Sequence, residues 1–218
     1  HQFGKHWSTA MAIEDPSASY TTDQNLSESI KQRVPDIPTY IQYAWAGGKS
    51  HIRLSNLFRF LSYRNLVEGK NKLTFCMATQ LSGMITFSPH WKLYYQGAYG
   101  KGYADYLNDL GGVGFDLIPD GDTGNLLAPY ALGVVGGIQY NIHKNLFLSA
   151  SFSQCRLYAD DNLQGSDYRY GQYVAANVFY EPIDNCMVGF EYLYGNRHNM
   201  DGTSGNAHRI NAMIQYHF

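Results

Sequence analysis

Arg53 and Arg59 stand an even number of positions apart in the stretch HIRLSNLFRFLSY. Successive side chains of an extended chain point to opposite faces, so this spacing puts both guanidinium groups on one side. A guanidinium keeps its charge at any working pH and presents a planar fork of donors that fits a carboxylate or a phosphate. Lys92, Arg169, Arg197 and Arg209 fall on the corresponding parity of later segments, and the acids on that parity are fewer: Glu14, Glu181 and Glu191. On the wall of a narrow, water-filled lumen, with Arg53 and Arg59 both facing water, these cations would raise the local concentration of small anions. The plainer reading is that some of the arginines pair with those glutamates and stiffen a wall.

Other candidate chemistry is weaker. The stretch 104–129 carries Asp105, Asp109, Asp116, Asp120 and Asp122 among Gly111, Gly112, Gly114, Gly121 and Gly124. It reads either as a constriction loop folded into a lumen, with Asp105, Asp109, Asp116 and Asp120 as its acids, or as a solvated external loop. The run PDGDTG within it spaces carboxylates as a hard cation would want, but the EF-hand spacing is absent and no metal site is expected. His198 and Asp201, with Asp160 and Asp161, fall where a general base could sit, yet no nucleophile motif accompanies them and no enzyme is expected. Cys76, Cys155 and Cys186 share no spacing and form no CxxC pair, so they read as buried or lipid-facing thiols without zinc, redox work or a cofactor. A net charge of -2 without a basic block gives no reason to expect nucleic acid.

The elements that must position these residues read as strands. Mean hydropathy is -0.34 and no run of about eighteen apolar residues occurs, which argues against a transmembrane helix. With 22 Gly and 19 Tyr, the composition suits a membrane β-barrel and a soluble β-sandwich equally well. Strand-like segments run over 5–13, 39–46, 51–63, 72–87, 91–103, 130–142, 146–158, 168–181, 186–197 and 207–218; helical periodicity shows only over 26–33. Connections 47–50, 88–90, 143–145 and 182–185 are tight. Those at 14–38, 64–71, 104–129, 159–167 and 198–206 are all longer, and the two kinds alternate strictly. A sandwich has no reason to sort its loops by parity, whereas an outer-membrane barrel has short periplasmic turns and long external loops. The expected fold is an all-β, transmembrane, antiparallel up-and-down β-barrel of about ten strands. It would form a single domain over 1–218 in the bacterial outer membrane.

The two faces agree with this reading. Leu73, Phe75, Met77, Leu81, Ile85 and Phe87 share one parity, and Lys72, Thr74, Gln80, Ser82 and Thr86 the other. Without helices to cover it, the apolar set faces lipid and the polar set a lumen. Trp7, Trp45, Phe87, Trp91, Tyr140, Tyr180, Tyr216 and Phe218 collect at the tight-turn ends, where rings sit well at headgroup level.

The stretches WSTAMAIEDP, RVPDIPTYIQY, HIRLSNLFRFLSYRN, VGFEYLYGNRHNMDG and the ending HRINAMIQYHF resemble the Bacteroidetes branch of the DcaP-like outer-membrane porins. The resemblance covers most of the chain. It implies a trimeric diffusion porin for small hydrophilic solutes, general or anion-preferring, and a parent barrel of about sixteen strands. The chain would then be the C-terminal part of such a barrel, with Phe218 resembling the aromatic ending that the insertion machinery reads. His1-Gln2-Phe3 lacks the features of a signal peptide, so a leader was removed or the chain begins inside a longer protein. The alternative is a small non-conducting outer-membrane barrel with a structural or adhesive role.

Overall fold

The computed structural model describes residues 1–159 and 162–218. In chain order the strands are β1 (Gln2–Phe3), β2 (Trp7–Met11), β3 (Ser27–Ser29), β4 (Ile37–Trp45), β5 (Ser50–Asn65), β6 (Lys70–Thr86), β7 (Trp91–Lys101), β8 (Ile118–Pro119), β9 (Leu126–Leu127), β10 (Tyr130–His143), β11 (Leu146–Tyr158), β12 (Tyr168–Ile183), β13 (Cys186–Asn199) and β14 (Ser204–Tyr216). One 12-stranded sheet holds all but β8 and β9, which pair with each other. Along it, neighbours follow chain order and pair antiparallel, from β1 through β2, β4 to β7 and β10 to β14. This up-and-down order sends the expected tight turns to one rim and the expected long connections to the other, but the connections 66–69 and 200–203 are as short as 46–49 and 87–90, because the strands on either side run further than expected. The fold is that of a transmembrane β-barrel wall; among the described residues, β1 and β14 do not pair with each other.

Strand length follows from what each face meets. β5, β6 and β12 run 16, 17 and 16 residues. At about 3.3 Å per residue and a tilt of about 45°, such strands climb roughly 35–40 Å, more than the apolar band of about 25 Å. They therefore rise beyond the membrane on the long-connection side. On the outward parity Phe75, Leu81, Phe190 and Ile214 are 45%, 45%, 58% and 80% exposed, so the apolar set forms no dry core between layers. Lipid covers it instead.

Each of the ten expected segments contains a strand, with shifted ends. The segment expected over 91–103 stops at Lys101 because Gly102 turns left-handed, φ +64°. The helical turn expected over 26–33 is absent: Ser27–Ser29 form β3, paired with Tyr63–Asn65. β4 reaches only to Phe58 of its neighbour, so the upper edge of β5 was left with unpaired backbone groups. Satisfying them outweighs a weak local helical preference.

Gly102 sets where the longest connection leaves the wall. Its carbonyl accepts a hydrogen bond from Arg59 Nη1 at 2.7 Å, and a Cβ placed on it would overlap Cys76 Sγ. Gly102→Ala thus meets both a strained φ and a steric conflict, at a cost of about 2 kcal/mol or more. The variant should lower the urea midpoint of the folded barrel, read by heat-modifiable gel mobility. Adding Cys76→Ala should recover part of the loss; no recovery would mean that the backbone turn alone is responsible.

Candidate functional site

On the inner face, the upper half of the wall is apolar and small: Leu57, Leu61, Ala78, Ala98, Ala131 and Leu157 are all buried. The alanines leave room that the connection 102–129 fills. Its Leu110, Phe115, Leu117 and Ile118 are 0–4% exposed and pack against those positions. Burying each such side chain is worth about 1.5–3 kcal/mol, so this connection is docked on the wall rather than solvated outside it. The first long connection is sewn to the same segment. Thr21 N donates to Gly114 O at 2.7 Å and to Leu117 O at 3.0 Å, and Asp116 N donates to Ser19 O at 3.0 Å.

Arg59 fastens both connections to the sheet. Its Nε donates to Asp36 Oδ2 at 2.9 Å and its Nη1 lies 3.1 Å from Asp116 Oδ2. Nη2 donates to Ser17 O, and Tyr106 OH donates to Asp36 Oδ2 at 3.0 Å. All three charged side chains are fully buried. Burial pushes the Asp116 carboxyl upward from its ordinary value; Arg59 and the Asp105 and Ser19 amides pull it partly back. A second tether reaches the far wall, where Tyr168 OH donates to Asp109 Oδ2 at 2.8 Å. The 102–129 segment is thereby held at β5 on one side and β12 on the other.

The expected site residues divide accordingly. Arg59 lies on the inner parity but faces no water: it holds the two connections, because a carboxylate from each reaches it. Arg53 is half-buried on the inner parity. Its Nε donates to Gln42 Oε1 at 2.8 Å, and its Cζ sits 4.3 Å from the Tyr40 ring centroid. Lys92 lies in register with Gln139 on the inner face. Arg209 donates through Nε to Asn211, whose amide donates to Glu191 Oε1 at 2.7 Å. Arg197 donates to Asn199 and lies over the Tyr168 ring. Arg169 falls at a bulge between Tyr168 and Tyr170, where alternation is interrupted and parity cannot place it. Among the described residues none of Arg53, Lys92, Arg169, Arg197 or Arg209 makes an ion pair.

The loop acids are mostly occupied. Asp105 Oδ1 accepts from Gly112 N at 2.6 Å, and Asp109 and Asp116 are tied as described; Asp120 is exposed. Glu181 accepts from Asn185 N in a tight turn, and Glu14 bridges to Asp36 through its backbone. At the rim, His198 stacks on Tyr170 at 4.4 Å and Asp201 accepts from Thr203; Asp160 and Asp161 lie outside the described residues. Cys76 and Cys155 are buried and Cys186 half-buried, all free thiols. Sequence reading missed Asp36, Tyr40, Gln42 and Tyr106. Asp36 precedes its strand as a lone acid, and no spacing signals a partner 23 residues away. The one available signal was Leu57 and Leu61 on the polar parity of β5. Below the docked segment, the inner face opens into a cavity of about 410 Å³ lined by Glu14, Tyr40, Ser55, Gln80, Gln96 and Tyr106.

A polar inner wall, an apolar outer wall and a docked loop are the parts of a membrane channel, and the sequence profile of the porin subfamily matches residues 1–215. The chain belongs to the porin subfamily. This porin's place is the bacterial outer membrane. Its fold is similar to that of the outer membrane channel DcaP of Acinetobacter baumannii, with 19% identity and a TM-score of 0.81, over 100% of this chain and 60% of that one. The porin thus spans about three fifths of that channel's length. Weaker likenesses are to the NanC porin (12% identity, TM-score 0.48, 99% of this chain and 96% of that one) and the FrpB iron transporter from Neisseria meningitidis (10%, 0.44, 95% and 39%). No curated protein sequence matches the porin.

Arg59→Gln strands two buried carboxylates, and breaking such a pair costs about 3–5 kcal/mol. It should free the 102–129 segment to proteolysis and raise conductance in the intact channel; Asp36→Asn with Asp116→Asn should restore docking. Unchanged cleavage would show that apolar packing alone suffices.

The sign for pH follows from Asp116. Its raised folded value means that docking by this group is favoured at low pH and weakens as pH rises through that value. Acidification from pH 7 towards about 4 should therefore not undock the segment through Asp116. A conductance step upward on acidification that Asp116→Asn abolishes would contradict this.

Proposed function

We propose that the chain lines a passive, non-enzymatic diffusion channel for small hydrophilic solutes and that the channel prefers anions. The observation that carries this reading is Arg53. Its guanidinium is held on a tyrosine face and by one glutamine, with no carboxylate partner among the described residues. A cation fixed in this way meets a carboxylate or phosphate with little ordering left to lose, and the contact stays weak enough to release it. Lys92, Arg197 and Arg209 add charge of the same sign, while Asp105, Asp109 and Asp116 are engaged in holding the loop.

The same reading takes residues 1–218 as one domain, the C-terminal part of a larger barrel of the Bacteroidetes DcaP-like branch. Support comes from the two sheet edges left unpaired among the described residues, since open edges do not persist in lipid. A homotrimer in outer-membrane lipid, inserted by machinery that reads Phe218, belongs to this proposal. The rival is a non-conducting barrel with a structural or adhesive role, favoured by the connections that cover the upper inner face.

Planar-bilayer recording on the intact protein separates the two. Conductance with an anion-selective reversal potential in a salt gradient is expected. Arg53→Gln should move that potential towards the cation side by several millivolts with no change in thermal stability. Clear cation selectivity, or no effect of Arg53→Gln, would remove Arg53 from the site; no conductance at all would select the rival.

A further inference from the structure

The outward face of the long strands carries cations but no carboxylate. Its outward positions in the register hold Arg64, Lys101 and Arg156, and no Asp or Glu. All three lie in the last few residues of their strands on the long-connection side. Arg64 has an explanation within the chain: Glu28 stands opposite it in register, and Asn71 accepts from its Nη1. Lys101 and Arg156 have none. Neither makes an ion pair among the described residues, and Arg156 Nε is buried without a hydrogen-bond partner.

Both cations are framed by tyrosine rings. Arg156 Cζ lies 4.9 Å from the Tyr158 ring centroid and 5.9 Å from that of Tyr170. Tyr130 pairs with both Lys101 and Tyr158 in register, so one strand separates the lysine strand from the arginine strand. At about 4.8 Å per strand the two charges stand on the order of 10 Å apart. Below Lys101 the outward face is hollow. Gly97 offers no side chain, and Met77, Leu81 and Leu132 rise around it to form a groove of about 470 Å³ with Lys101 at its upper end. Tyr99 and Tyr130, stacked at 5.5 Å, close the groove on the same side.

We propose that this outward groove, with Lys101 at its upper end and Arg156 beside Leu132 on the next strand, binds a phosphate-bearing lipid of the outer leaflet, an acyl chain lying over Gly97 and the phosphate meeting the two cations. The depth fits. A cation facing lipid is costly at the midplane and becomes cheap near the interface, which is where phosphates lie. The shape fits too, since the groove continues from the charged end towards the hydrocarbon. The tyrosines hold the guanidinium in place by ring stacking while leaving donors free for an anion.

Native mass spectrometry of the intact protein in detergent tests the site, with phosphatidylglycerol or phosphate-free dioleoylglycerol added back. One phosphatidylglycerol per chain should be retained at least tenfold better than dioleoylglycerol. Lys101→Gln with Arg156→Gln should abolish that preference, and Gly97→Leu, whose Cβ has room, should reduce retention of both lipids. Heat-modifiable mobility confirms that each variant folds. Three outcomes overturn the proposal. The first is that the double variant retains lipid as the parent does. The second is full displacement of the lipid by inorganic phosphate, marking a free-anion site. The third is a changed oligomeric state in Gly97→Leu with lipid retention unchanged, marking a contact between copies.

Discussion

One buried guanidinium organises the channel interior. Arg59 is the point at which the sheet, the first long connection and the 102–129 segment meet, through Asp36, Asp116, Ser17 and Gly102. Taking these charges out of water is expensive, and the arrangement holds because the guanidinium finds acceptors on all sides. The neighbouring features follow from it. Gly102 must lack a side chain so that its carbonyl can approach. Tyr106 must donate to Asp36. The alanines of β6, β7 and β10 must stay small to seat the segment that Asp116 anchors. Without the central cation these would be unrelated oddities of a barrel wall.

The electrostatics of the lumen depend on the same device. Folding a loop rich in aspartate against a channel wall would ordinarily make the passage acidic. Here Asp116 is matched by Arg59, Asp109 by the Tyr168 hydroxyl and Asp105 by a backbone amide. The acids do the fastening, and among the described residues Arg53, Lys92, Arg197 and Arg209 on the inner parity are left without an ion pair. Arg53 and Arg59 share a parity and a strand, yet one is half-buried against Tyr40 and Gln42 and the other anchors a loop. Their difference lies entirely in what the rest of the chain brings to them.

That difference marks how far the sequence was legible. Strand positions, the up-and-down order and the lipid-facing parity could all be read because they rest on local alternation; connection lengths were legible only in part, since β5, β6, β13 and β14 run on into two of the expected long loops. Arg53, Lys92, Arg197 and Arg209 fell on the inner face for the same reason. The rest depended on partners distant in sequence. Asp36 and Asp116 reach Arg59 from opposite directions, β3 forms only because β4 ends early, and the bulge beside Arg169 breaks the very alternation used to place it. Leu57 and Leu61 on a polar parity were the visible trace of a docked segment. Recognising them for what they are requires knowing what packs there.

The two tethers of the 102–129 segment bear on how the molecule is made. Asp116 and Arg59 are far apart along the chain, and Asp109 reaches forward to Tyr168 across β10 and β11. Loop-closure entropy must be met before such contacts give anything back, so they form late. The two tethers coexist only once β5 and β12 stand at their final separation in one curved sheet. Docking of the segment is therefore the closing event of folding, and a docked segment certifies that the strands on either side of it have been assembled in register.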